Sequence, residues 1–304
     1  MSAQLKQQAS YEATFVHNFR KQVFSSVPAI PALTELTGKT VLVTGANVGL
    51  GFEAVRHFLR LRPSLVILGV RSLKKGEAAA QALRHEFPDA RIEVWELDME
   101  SFHSVQAFAA RAERELDRLH IAVLNAGLGK LTFEHVEEGG CHEVTMQVNY
   151  LATALLSFLL LSKMRPTTKS SEPGRLSIVS SAASSPLSIE DPGNGTLLDS
   201  FDQPKNFEFM NQYGLSKLLV MMFVAKLAQM INPKEVIVNC TDPGATKGTD
   251  FFRNVNSWIM NIASKAFMGI IGRRTEDASR IYLHSSLVLG EESHGSWTDW
   301  IIRS

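Results

Sequence analysis

The segment Thr40–Gly51 constrains this chain more than any other. A β-branched run, Thr40-Val41-Leu42-Val43, passes directly into Thr44-Gly45-Ala46-Asn47-Val48-Gly49-Leu50-Gly51, and a helical pattern follows. Free N–H groups and the helix dipole at such a start favour negative charge, so a phosphate can rest there. Glycines keep side chains out of the way of a pyrophosphate and let the helix pack tightly on its strand. The spacing is G-x-x-x-G-x-G, not the common G-x-G-x-x-G. A glycine-rich turn without a ligand is the plainer alternative, and the strand–turn–helix context argues against it.

The rest of the chain repeats the alternation. Strand signals fall at Leu65–Gly69, Ile92–Glu96, Ile121–Leu124, Leu176–Val179 and Val236–Asn239, and helical stretches at Phe52–Leu61, Lys74–Phe87, Ser101–Leu116, His142–Met164 and Tyr213–Met230. The strand runs are short and apolar without two-residue alternation, as in a parallel sheet covered on both sides. The expectation is an α/β Rossmann fold: a doubly wound parallel sheet with helices on both faces, in a single domain over residues 39–304. Residues 1–38 stand apart, with Phe15, Phe19 and Phe24 in a polar stretch ahead of Pro28 and Pro31. They read as a short amphipathic helix and an extended arm, which packs on the domain, caps a cleft or serves a homodimer; the sequence does not choose.

Composition narrows the partners. Lys plus Arg and Asp plus Glu are both 31, so neither nucleic acid nor an acidic membrane surface is indicated. Cys141 and Cys240 make no disulfide framework and no metal cluster, which fits a cytoplasmic protein without a metal. The N-terminus lacks the apolar core of a signal peptide. The apolar run Leu151–Leu161 is far short of the roughly 20 residues of a membrane span, and reads as a helix buried on all sides.

Two sites carry chemistry. After the second strand comes Val70-Arg71-Ser72, with no carboxylate where an NAD binder holds its ribose. A guanidinium there suits a 2′-phosphate, which favours NADP(H) over NAD(H). The alternative for Arg71 is a solvated charge at a helix entry. Asp98-Met99, past the third strand, fits an adenine contact, or Asp98 caps the next helix. Further on, Tyr213-Gly214-Leu215-Ser216-Lys217 opens an apolar helix and puts phenol and ammonium one turn apart. A cation so placed favours phenolate and lowers the tyrosine pKa. A tuned phenol can exchange a proton with a carbonyl or alcohol oxygen. Asn125-Ala126-Gly127 ends the fourth strand, Asn149 interrupts an apolar helix, Ser180-Ser181 ends the fifth strand, and Asp242-Pro243-Gly244 follows the sixth.

In this order and context, Thr44–Gly51, Asn125–Gly127, Asn149, Ser181, Tyr213, Lys217 and Pro243–Gly244 resemble the short-chain dehydrogenase/reductase family over roughly residues 38–290. The run around Thr37–Glu77 is similar to the branch with retinol-dehydrogenase-like and fungal natural-product enzymes, hence a place in secondary metabolism. The resemblance implies Tyr213 as general acid/base and Ser181 as a hydrogen-bond partner of the substrate oxygen. It implies that Lys217 holds the nicotinamide ribose and tunes Tyr213, and that Asn149 holds a water linking Lys217 to solvent. The implied contacts to NADP(H) are Gly45, Asn47, Gly49, Leu50, Gly51, Arg71, Asp98, Met99, Asn125, Ala126, Gly127, Tyr213, Lys217, Pro243 and Gly244.

Departures from the family pattern matter too. The stretch from Ser181 to Tyr213 is long, and Asp191-Pro192-Gly193-Asn194-Gly195 in it reads as a surface excursion at the substrate mouth. Relatives of this branch often continue beyond the point matching Ser304. Residues 245–272 hold Phe251, Phe252, Trp258, Phe267 and Met268, an apolar lid suited to a lipophilic carbonyl or alcohol, or else ordinary helix packing or a dimer or membrane-surface face. The competing functions are a dinucleotide-binding sensor, which needs none of the four polar residues together, and a non-redox isomerase or cyclase.

Overall fold

The computed structural model describes residues 20, 22, 25–31, 34–137, 142–168, 171–184, 187–189, 195–247 and 272–303. Seven strands run parallel: β1 (Thr40–Thr44), β2 (Leu65–Val70), β3 (Ile92–Glu96), β4 (Ile121–Leu124), β5 (Gly174–Val179), β6 (Val236–Thr241) and β7 (Trp297–Thr298). β8 (Ile302–Arg303) turns back antiparallel on β7, and the sheet order is β3-β2-β1-β4-β5-β6-β7-β8. The chain winds outward from β1 to β3, then returns to lay β4 beside β1, with Val41 opposite Ile121 and Val43 opposite Val123. Connections leave the sheet in opposite directions at that point, which opens a crevice at the carboxyl ends of β1 and β4.

β2, β4 and β6 are buried along their whole length, so their sequences show no alternation. One face is covered by α1 (Gly49–Arg60), α2 (Leu73–Glu86) and α7 (Thr275–Leu283), which bring Val55, Phe58, Leu83 and Tyr282 into a core layer. The other is covered by α3 (Phe102–Glu115), α4 (Val144–Met164) and α6 (Phe209–Ala228), with Phe108, Leu156, Leu160, Val220 and Val224. A short helix, α5 (Leu197–Phe201), lies in the connection between β5 and α6.

Several boundaries differ from expectation. α6 begins at Phe209, because the Glu208 carboxylate accepts from the Met210 and Asn211 N–H groups; Tyr213 therefore sits beyond the first turn and does not open the helix. α4 is interrupted by a π-helical turn at Gln147–Ala152. Nor is it buried all round: Phe158 and Leu159 are 47% and 38% exposed. By length and mean hydropathy (1.6) α4 could cross a membrane, but 61% of its apolar window is buried inside the domain. β7 and β8 are two residues each, too short to carry a pattern. The expected N-terminal helix lies, apart from Arg20 and Gln22, outside the described residues. The arm that follows runs over the domain, with Pro28 O 3.0 Å from His284 Nε2 and the Gln22 amide bonded to both Ala245 O (2.7 Å) and Ala245 N (3.1 Å).

Candidate active site

β1 brings the glycine turn to the sheet's carboxyl edge. Gly45 and Gly49 have φ of +63° and +59°. A Cβ on Gly51 would lie 2.5 Å from Gly45 O and 2.7 Å from Asn125 Nδ2, so only glycine lets α1 start this close to the strand ends. Val48, at the N-cap, offers no side-chain hydrogen bond, and the first turn of α1 has no acidic residue. Asn47, Gly49 and Leu50 are partly exposed at this lip. Asn125 braces the turn: its Nδ2 donates to Thr44 O (2.9 Å) and Gly45 O (3.3 Å), and its Oδ1 accepts from Tyr282 Oη (2.9 Å). The Ala126 N–H donates to Thr44 Oγ1 at 2.9 Å, completing the stitch between β1 and β4.

Arg71 follows β2 directly, and its exposed guanidinium is ion-paired with Glu100. Asp98 is partly exposed, and its Oδ1 accepts from the Glu100 N–H at 3.0 Å. It does not cap α3; Ser101 does, accepting from Ser104 N at 3.2 Å. Met99 is buried in the core layer under α3 and α4.

β5 and α6 place the polar set. Tyr213 shares a side-chain hydrogen bond with Ser181. Ser180, one residue earlier, points away and donates to Lys217 O at 3.0 Å. Lys217 is buried; its Nζ donates to Val179 O (2.9 Å) and lies 5.9 Å from the Tyr213 ring centroid. Burial pulls this ammonium down to about 8, against the opposing pull of Cys240 and Asp242. The expected lowering of the phenol does not occur. Burial pushes Tyr213 up to about 12; the Ser181 hydrogen bond opposes the rise and the Asp242 carboxylate adds to it.

Asn149 sits in the π turn with its amide engaged by protein. Oδ1 accepts from Leu128 N, and Nδ2 donates to Leu128 O and Ser216 Oγ, all at 2.9 Å. Ser216 in turn donates to Tyr213 O at 2.7 Å, so a hydrogen-bonded chain joins Asn149 to the tyrosine backbone. Gly127 lies between two groups: a Cβ there would be 3.1 Å from Asn149 Oδ1 and 3.2 Å from Lys217 Nζ. After β6, the Gly244 N–H donates to the buried Asp242 Oδ1 at 2.9 Å, which turns Pro243–Gly244 at the strand end. The lid expected over 245–272 lies, from 248 to 271, outside the described residues. Among the described residues no group of three His, Cys, Asp or Glu is arranged to hold a metal.

Four residues at this site escaped sequence reasoning as members of it. Glu100 pairs Arg71, and its two-residue offset from Asp98 was the available signal. Ser216 stands inside the Tyr-x-x-x-Lys spacing, and Asp242 inside the Asp-Pro-Gly turn. Tyr282, 157 positions from Asn125, gave none.

The short chain dehydrogenase family model matches residues 39–190. Short chain dehydrogenase virL of Hypocrea virens is 45% identical over 100% of this chain and 88% of its own length. Short chain dehydrogenase opdN of Penicillium oxalicum is 42% identical over 97% of each chain. Among solved structures, NADPH-bound carbonyl reductase from chicken fatty liver is similar in fold, with a TM-score of 0.62, 22% identity, and 88% of this chain and 97% of the other covered.

Proposed function

This chain belongs to the short chain dehydrogenase family, and from that premise we propose that it is an NADP(H)-dependent oxidoreductase for a lipophilic carbonyl or alcohol, with Tyr213 as general acid and base. The crevice fits a dinucleotide phosphate. The α1 start is uncapped by any side chain, Gly51 keeps it clear, and Arg71 stands at the end of β2. Gly45, Asn47, Gly49, Leu50 and Gly51 would hold the pyrophosphate, and Arg71 the 2′-phosphate once Glu100 yields. Asp98 and Met99 would border the adenine, and Asn125, Ala126, Gly127, Pro243 and Gly244 the nicotinamide end. NADP(H), when bound, supplies or accepts the hydride.

The chain's own residues then handle the proton. Ser181 Oγ orients a substrate oxygen beside the phenol and stabilises the charge that grows on it. Tyr213 Oη gives its proton to that oxygen in reduction and takes one back in oxidation. Lys217 stands behind the ring as a fixed cation, holds the ribose hydroxyls, and with Asn149 forms the inner end of a proton path. A phenol near 12 is protonated at neutral pH, which suits reduction. The apolar composition of 245–272 supports a lipophilic substrate.

The observation that carries this reading is the Ser181–Tyr213 hydrogen bond with the Lys217 ammonium 5.9 Å from the ring. It is tested by NADPH consumption against lipophilic ketones, aldehydes and quinones, with Tyr213→Phe alongside. The variant loses turnover and keeps NADPH binding; full activity in it would end the proposal.

A further inference from the structure

The described residues of the connection between Ser181 and Tyr213 pack onto the domain. Its Leu187, Leu198 and Phe201 join Leu215 and Leu219 of α6 and Met146 of α4 in a small apolar cluster. A Cβ on Gly214 would overlap the Leu187 side chain and come within 2.8 Å of Ala183 O, so this wall meets α6 at the residue beside Tyr213.

Beside this cluster lies a carboxylate with no exposure at all, Glu143. Its Oε1 accepts from Thr145 Oγ1 (2.9 Å); its Oε2 accepts from the Met146 N–H (3.1 Å) and from Gln212 Nε2 (2.9 Å). Gln212 is also buried, and donates to Phe201 O at 3.3 Å. The Glu143 N–H donates to Asp202 Oδ1 (2.7 Å), whose Oδ2 lies 2.7 Å from His142 Nδ1. Through Glu143 and Gln212 together, three elements are thus joined: the start of α4, which carries Asn149; the end of α5 in the wall; and the turn of α6 before Tyr213. Burying a carboxylate is costly unless its lone pairs are used, and apolar side chains would fill this volume with less penalty. What the polar joint adds is a fixed direction between the three elements.

We propose that Glu143 and Gln212 are positioning residues for Tyr213: their buried hydrogen bond locks the turn of α6 that presents the phenol, and ties the substrate-side wall to the proton donor. This rests on the reading of Tyr213 as general acid and base. A hydrogen bond to a carboxylate is about twice as strong as a neutral one, and a shift of roughly 1 Å at a reacting group can cost about a hundredfold in rate.

The test is Gln212→Met, which removes the amide at similar length and leaves the Glu143 cap on Met146. In the cofactor-free protein, amide hydrogen exchange across 209–217 quickens by about tenfold while the rest of the sheet is unchanged. In NADPH oxidation with phenanthrenequinone, kcat falls by about tenfold or more, while KM and the NADPH dissociation constant move less than about twofold. Glu143→Gln alone, with Gln212 in place, keeps most of the wild-type exchange and kcat, since its amide oxygen can still accept from Gln212 and its NH2 can donate to the Thr145 hydroxyl. If Gln212→Met does not fold, Gln212→Asn, one methylene short, makes the same measurement. Wild-type exchange and kcat in the variant overturn the proposal, as does a lower melting temperature with kcat intact. Tyr213→Phe in the same assay separates the two claims. If it is fully active, the general-acid reading fails; if it is dead while Gln212→Met is normal, only the positioning role fails.

Discussion

The Lys217 ammonium lies 5.9 Å from the centre of the Tyr213 ring, yet the phenol is pushed up to about 12 rather than down. Burial is the main cause; the Asp242 carboxylate adds to it, and the Ser181 hydrogen bond opposes it without reversing it. Tyr213 therefore stays protonated across the neutral range. Carbonyl reduction should be nearly flat with pH through neutrality, whereas alcohol oxidation should climb with pH, because the phenolate fraction grows about tenfold per unit below the pKa. Initial rates in both directions across pH check this. An oxidation rate flat with pH would mean that another group takes the proton.

Lys217 has a linked effect on stability. Its folded pKa is lowered from the usual 10.5 to about 8, with burial as the main cause. Between those values the unfolded chain keeps a proton that the folded chain has lost, so this site's contribution rises with pH. Below about 8 the fold bears the whole cost of burying the charge, on the order of 3 kcal/mol. Lys217→Met should thus melt higher than wild type at neutral pH, with the gap closing toward pH 10.5, and should lose turnover. Losing the bond to Val179 O trims the gain. Thermal melts of both proteins over pH decide it; a constant difference would remove the linkage.

Arg71 and Glu100 form a partly exposed ion pair where the 2′-phosphate would sit. Arg71→Ala should weaken NADPH by about tenfold or more and NADH by less than about twofold. Glu100→Gln should tighten NADPH by a few-fold, since an exposed pair of this kind is worth only about 0.2–1 kcal/mol. Fluorescence titration of wild type and both variants with each cofactor reads the dissociation constants, and equal losses of NADPH and NADH in Arg71→Ala would refute the role.

The glycine turn is held from two directions. In Gly51→Ala the new methyl would meet Gly45 O at 2.5 Å and Ala46 Cα at 3.1 Å, both backbone, so α1 must move. The cost should be about 1–3 kcal/mol. Tyr282→Phe leaves Asn125 Oδ1 without its 2.9 Å donor in a part-buried setting, at about 0.5–1.5 kcal/mol, and should also weaken NADPH because the same amide holds Thr44 O and Gly45 O. Denaturant melts and NADPH titration of each variant give the numbers.

The sequence disclosed what local pattern can carry. β2 and β4 are legible because strands buried on both faces read as unbroken apolar runs, and β6 by its opening Val236-Ile237-Val238, although Asn239 and Thr241 are buried with it. Tyr213 and Lys217 are legible because i,i+4 spacing puts both on one helix face. The start of α6 was misread because Glu208 is outside the usual N-cap set. The rest is long-range pairing without a local mark. Asn125 and Tyr282 are 157 positions apart, and Glu143 and Gln212 are 69 apart. The rise in the Tyr213 pKa depends on burial and on Asp242 in the turn after β6, neither visible in Tyr-x-x-x-Lys.

The widened turn at Gln147–Ala152 sets the phase between two halves of one rod. Each residue added to or taken from a helix rotates everything beyond it by about 100°. Shortening this turn by one would make a more regular helix and swing Leu156 and Leu160 out of the sheet-facing layer, or else carry Asn149 away from Leu128 and Ser216. A mutant library that varies side chains at the less buried positions of this turn, such as Tyr150 and Leu151, would explore tolerant ground, while one that varies its length would find almost none.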